Sequence, residues 1–97
     1  MYAIAIIRYR QPIERVIEVT EEHRAYLRGL ESKGILLASG PMDPRFGGVL
    51  LLRLPDGDVL SQLEAIRDGD PFVKKQIAQY ELLPWVPGLG KERLDRL

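Results

Sequence analysis

The sequence predicts an α+β domain of order β-α-β-β-α-β, with four antiparallel strands in one sheet and the helices on one of its faces. Three observations predict it. Four short runs rich in Ile, Leu, Val and Tyr have the length of strands. The segments between the first and second runs, and between the third and fourth, carry apolar residues at helical spacing. Only a turn rich in Gly and Pro separates the second run from the third, so those two form a hairpin.

In order, Tyr2-Ala3-Ile4-Ala5-Ile6-Ile7-Arg8-Tyr9 is the first strand. Its alternate residues are Tyr2, Ile4, Ile6 and Arg8 on one side, and Ala3, Ala5, Ile7 and Tyr9 on the other. Arg10-Gln11-Pro12 breaks it, and residues 13–19 form a charged connector with some helical pattern. The spacing predicts a helix from Thr20 to Lys33, with Thr20 as N-cap, acids in the first turn and Gly34 as the left-handed stop. His23, Tyr26, Leu27 and Leu30 share its inner stripe.

Residues 35–40 form the second strand, closed by Pro41, and residues 49–54 form the third. Asp58 caps a helix to about Arg67 with Val59, Leu60, Leu63 and Ile66 on one stripe. Asp70 caps a further short helix to about Ala78, with Pro71 in its first turn. Residues 80–86 form the fourth strand, and Pro84 within it demands an edge position or a bulge. Pro87-Gly88-Leu89-Gly90 leaves the domain, which thus spans residues 1–88, followed by a charged tail over 89–97. The order is the ferredoxin-like plan, with right-handed crossovers that put both helical regions on the same side.

Composition excludes several function classes. Lys and Arg number 14, as do Asp and Glu, so the balance disfavours nucleic acid or a membrane surface as partner. No apolar run nears the roughly 20 residues of a bilayer span. With no targeting pattern before the first strand and no cysteine, the expected compartment is the cytoplasm. Absent cysteine and a single histidine leave no thiolate or multi-histidine metal site, and no nucleotide-binding motif is present; no metal and no cofactor are expected. There is no asparagine, and arginine outnumbers lysine ten to four, a pattern of heat-adapted proteins.

The strands are apolar on both faces, whereas a sheet with one wet face alternates. The helices cover one face only. An uncovered face of several hundred Å² would forgo on the order of 10 kcal/mol at about 25 cal/mol per Å². The expectation is an obligate homodimer, sheet face to sheet face, forming a dimeric α/β barrel whose enclosed space the lone imidazole faces.

Few residues can do chemistry. In the first helical turn, the dipole would disfavour an imidazolium and keep His23 a neutral base; the other reading is a half-buried histidine bonded to backbone. Asp70 is explained as a helix cap, and its carboxylate could also orient the imidazole as the aspartate of a catalytic triad does. Asp43 is a rival acid in turn surroundings. Ser39, Gly40 and Pro41 end a strand where a ligand could approach closely, and Arg8 could meet an anionic substrate or a surface acid. Tyr9, Tyr26, Phe72 and Trp85 suit core or interface better than a cofactor box.

An ordered set of these residues resembles the YCII-related family. Glu22-His23, Ala25-Tyr26-Leu27, Leu30, Lys33-Gly34 and Ala38-Ser39-Gly40-Pro41-Met42 are similar to its first half. Gly69-Asp70-Pro71-Phe72-Val73, Tyr80-Glu81 and Pro84-Trp85 are similar to its second. The resemblance implies a dimeric α+β barrel and a histidine–aspartate pair, His23 and Asp70, in a pocket near the subunit boundary. It also implies kinship with dehydrochlorination of a chlorinated hydroxyquinol, and more distantly with muconolactone isomerase and cofactor-free monooxygenases. The short Gly-Gly hairpin and the tail after Gly90 depart from the pattern.

Two functions fit. One is a cofactor-independent lyase or isomerase, in which His23 moves a proton of a small oxygenated cyclic or aromatic substrate and Asp70 orients the ring. Backbone N–H groups of residues 39–42, or Arg8, would then hold an oxyanion. The other is a non-catalytic homodimer that binds a small ligand or serves as an accessory subunit.

Overall fold

A computed structural model describes residues 1–97. Its elements are β1 (Tyr2–Tyr9), α1 (Ile13–Ser32), β2 (Leu36–Pro41), β3 (Gly47–Arg53), α2 (Val59–Gly69), α3 (Pro71–Lys74), β4 (Ala78–Trp85) and α4 (Lys91–Asp95). The sheet runs β2-β3-β1-β4 and every neighbouring pair is antiparallel. The ferredoxin-like expectation therefore holds, with β2 and β3 as the hairpin and Pro84 on an edge strand, opposite Ala3. A second edge, β2, has an irregular register between Leu36 and Ala38.

Several boundaries differ from the expectation. Helix α1 starts at Ile13, where Pro12 sets the entry, and absorbs the charged connector. Val16 and Val19 there continue the inner stripe of His23, Leu27 and Leu30, and that burial decides the matter. Thr20 is thus no cap: inside the helix its hydroxyl donates to the Val16 carbonyl at 2.8 Å. Helix α3 stops at Lys74 rather than near Ala78, because Gln76 turns the chain through φ 58° into β4. On α2, Leu63 and Ile66 are buried, while Leu60 faces solvent at 52 % exposure. Asp58 caps α2 as expected, accepting from the Ser61 N–H.

The core lies between the helices and one sheet face. Ala3, Ala5 and Ile7 of β1, with Leu50 and Leu52 of β3, meet Val16, Val19, Leu27, Leu30, Leu63 and Phe72. Alternation sends Ile4, Ile6, Val49 and Leu51 to the other face, where they are only partly buried. At one end of that face sits α4: Asp95 accepts from the Tyr2 hydroxyl at 2.5 Å, and Arg53 donates to the Leu94 carbonyl at 2.9 Å. Gly47 is required where β3 crosses β1, since a Cβ there would stand 1.8 Å from the Ile7 carbonyl oxygen. No helix is long and apolar enough to cross a membrane.

Candidate functional site

The packing of α3 on α1 brings His23 and Asp70 together across 47 residues. Gly69 ends α2, and the Asp70-Pro71 step starts α3 at once, so Asp70 lies at a sharp corner. Helix α1 reaches that corner through Tyr26, whose hydroxyl donates to the Ile66 carbonyl at 2.6 Å. Gly69 makes the approach possible, because a Cβ on it would lie 2.6 Å from the Tyr26 oxygen. One turn away, Lys75 pairs with Glu22 at 2.8 Å and pins α3 to α1 from outside.

At the corner the Asp70 carboxylate is fully buried, and three groups surround it. Its Oδ1 accepts from the Phe72 N–H at 2.9 Å, as the cap of α3. Its Oδ2 accepts from the Tyr80 hydroxyl. His23 Nδ1 stands 2.9 Å from Oδ1 and 2.8 Å from Oδ2. A carboxylate that only accepts fixes the neutral imidazole as the Nδ1–H tautomer, with the lone pair on Nε2. Burial first, then the neighbouring Asp70 charge, pushes the Tyr80 phenol far above the ordinary tyrosine range and keeps it a donor. Burial and the same carboxylate also raise Tyr26.

The imidazole is 9 % exposed and stacks on Phe72, with ring centroids 4.0 Å apart and planes 6° apart. No buried side-chain nitrogen or oxygen lacks a partner. Nε2 bonds to nothing within the chain, so it reaches the cavity that the ring lines. That cavity is about 280 Å³, between α1, the β1–β3–β2 part of the sheet and the loop after β2. Ser39, Gly40 and Pro41 line it, and so do Tyr9, Thr20, Arg24 and Arg45.

Three expectations change here. His23 is in the middle of α1, not its first turn, so the helix dipole does not act on it; Asp70 sets its state instead. Second, the imidazole faces a cavity on the helix side of the sheet, away from the apolar face that a twin would cover, because α1 packs its inner stripe on Ala3, Ala5 and Ile7. Third, Arg8 is not at the cavity: strand alternation turns it to the other face, where it pairs with Glu81 at 2.6 Å, while Ile7 and Tyr9 face inward.

Of the amides expected to hold an oxyanion, Pro41 has none and that of Met42 donates to the Gly47 carbonyl at 2.8 Å. Asp43 is exposed in the loop and does not line the cavity. Among the aromatics, Phe72 and Tyr9 form the wall, edge to face with centroids 6.0 Å apart, and Trp85 sits half-open on the far face. Sequence reading missed Tyr80 and Arg45. Tyr80 was detectable, since its register opposite Ile7 places it on the helix side. Nothing distinguished Arg45 from ordinary turn polarity.

Comparison with known proteins places the fold and the family. Residues 1–86 match the model of the YCII-related domain family. No curated protein matches. Among solved structures, the chain is similar to the 5-chloro-2-hydroxyhydroquinone dehydrochlorinase (TftG) of Burkholderia phenoliruptrix AC1100, determined in complex with 2,5-dihydroxybenzoquinone. The two superpose with a TM-score of 0.72 at 21 % identity, over 91 % of this chain and 96 % of that one. At that identity the likeness establishes the shared fold.

Proposed function

The chain belongs to the YCII-related domain family, and we propose that it is an enzyme of small-molecule chemistry in which His23 is the general base. The observation that carries this is the buried Asp70 carboxylate 2.8 Å from His23 Nδ1. It leaves an unshared pair on Nε2 at a cavity sized for a small ring. In the reaction, Nε2 takes a proton from carbon next to a carbonyl. The C–H electron pair passes into the ring system, onto oxygen as an enolate or outwards with a β leaving group. Asp70 faces the imidazolium that forms and stabilises it. The proton then returns elsewhere on the substrate in an isomerase, or goes to solvent in a lyase. None of these steps calls for a cofactor. TftG, a dehydrochlorinase of a hydroxyquinol, makes an oxygenated cyclic substrate the first class to try.

The partly buried apolar residues Ile4, Ile6, Val49 and Leu51, continued by Leu83 and Trp85, support a homodimer through the open sheet faces. Gel filtration at micromolar concentration should give the dimer size, and Leu51→Glu should shift it to monomer; a wild-type monomer contradicts the assignment.

The test of the base is solvent-deuterium incorporation into small cyclic hydroxyketones and quinols, followed by NMR. Wild-type protein should accelerate exchange of a ring C–H in at least one of them, and His23→Gln should abolish this while remaining folded. Tight binding without exchange by the wild type would instead identify a ligand-binding protein.

A further inference from the structure

We infer that the cavity selects a substrate that already carries a negative charge, a carboxylate or a deprotonated ring hydroxyl, and that Arg45 is its counter-charge. This deepens the proposed function and rests on the same cavity being the site. The lining holds two guanidinium groups, an imidazole, and no carboxylate at all. The nearest buried acid, Asp70, lies behind the imidazole, where three donors surround its charge. Arg24 is partly neutralised by Glu21 at 3.3 Å, a pair open to solvent.

Arg45 has no acidic partner. It reaches from the loop after β2 across the cavity mouth, where Nε donates to the Tyr9 hydroxyl at 3.1 Å and one terminal nitrogen donates to Thr20 Oγ1 at 3.4 Å. These two neutral contacts, with its position 5.9 Å over the Tyr9 ring, aim the guanidinium without discharging it. Its other terminal nitrogen makes no bond within the chain. Five N–H donors in a planar fork suit a bidentate oxyanion, and most of them are free. The Tyr9 oxygen accepts from Arg45, so its own proton is available to the same anion. Ser39 Oγ, on the opposite wall, is a further free donor. The lining thus offers unspent donors, positive charge and the Nε2 lone pair to one cavity. That combination suits an anionic group anchored at Arg45 while a neighbouring C–H meets His23.

The probes that separate charge from shape are benzoate and benzamide, equal in size and differing in one charge. Because the chain has a single histidine, its imidazole resonances report occupancy of this cavity alone. Benzoate at millimolar concentration should shift the His23 ring signals, and benzamide should not. Arg45→Gln should weaken benzoate roughly tenfold to a hundredfold, the worth of a charged hydrogen-bonded contact. Arg45→Lys should recover part of the loss and Arg8→Gln should change nothing. Equal binding of the two probes, no binding of either, or a benzoate affinity indifferent to Arg45→Gln overturns the inference. These readouts need no turnover. Loss of charge preference with deuterium exchange intact refutes the anion site alone, whereas charge preference without exchange refutes the base alone.

Discussion

Replacing Asp70 by asparagine should invert the histidine without moving it. The asparagine oxygen can keep the Phe72 N–H, since that bond caps α3 and the backbone there is set by Pro71. Its NH2 group then occupies the place of Oδ2, 2.8 Å from His23 Nδ1 and beside the Tyr80 hydroxyl. An amide N–H facing Nδ1 makes that nitrogen an acceptor, so the ring proton moves to Nε2. The nitrogen at the cavity becomes a donor and has no lone pair to offer. Loss of the wrong-tautomer kind costs on the order of 10⁴ in turnover where it has been measured in catalytic triads.

Stability should fall less. Three bonds to a charged acceptor, about 1.5 to 3 kcal/mol each, become neutral ones of about 1 kcal/mol, a net loss of about 1.5 to 6 kcal/mol. For a domain of this size each kcal/mol of that loss lowers Tm by roughly 4 to 8 °C. Urea unfolding gives the stability, and long-range ¹H–¹⁵N spectra of the imidazole give the tautomer. An Asp70→Asn protein that keeps Nδ1–H would refute the predicted inversion, because the amide oxygen 2.9 Å from Nδ1 would then be accepting as the carboxylate does.

Other consequences follow from the same contacts. The raised phenol of Tyr80 stays protonated in the folded chain while the unfolded one ionises near pH 10. Its contribution should therefore be complete below pH 10 and fall by about 1.4 kcal/mol per pH unit above it, a share of the alkaline slope that Tyr80→Phe removes in denaturant titrations, leaving the part due to Tyr26. Asp95 is held low by Lys91 and by the Tyr2 hydroxyl, so its contribution is present above the ordinary carboxylate value of 3.8 and lost as acid protonates it. Amide exchange should show α4 leaving Tyr2 in that acid range while β1 stays protected. Gly47→Ala drives a methyl into the Ile7 carbonyl, and should cost about 3 kcal/mol by urea titration, against little for the open position Gly40→Ala.

The sheet was legible because the apolar runs of β1 and β3 have strand length, the turn before Gly47 makes a hairpin, and Pro84 needs an edge or a bulge, of which the structure takes the edge. Asp70-Pro71 was legible as a cap for the same local reason. The start of α1 was not: residues 13–19 show only some helical pattern among many charges, and Val16 and Val19 become decisive only when a sheet lies beneath them. Misplacing that start moved His23 into a first turn and assigned its neutrality to the helix dipole. Its contact with Asp70 depends on how α3 meets α1, through Tyr26, Gly69 and Lys75, and no spacing along the chain encodes that. Arg8 and Arg45 show the same limit in opposite directions. Strand alternation could have excluded Arg8, whereas only the folded path of a loop gives Arg45 its position over Tyr9.

The proposed chemistry rests on which nitrogen of one ring holds the proton. A long-range ¹H–¹⁵N correlation of the sole histidine, taken with the imidazole neutral, reads this without a substrate. The prediction is a protonated Nδ1 and a bare Nε2 whose shift responds to benzoate; a proton on Nε2, or a ring averaging between both forms, would contradict it.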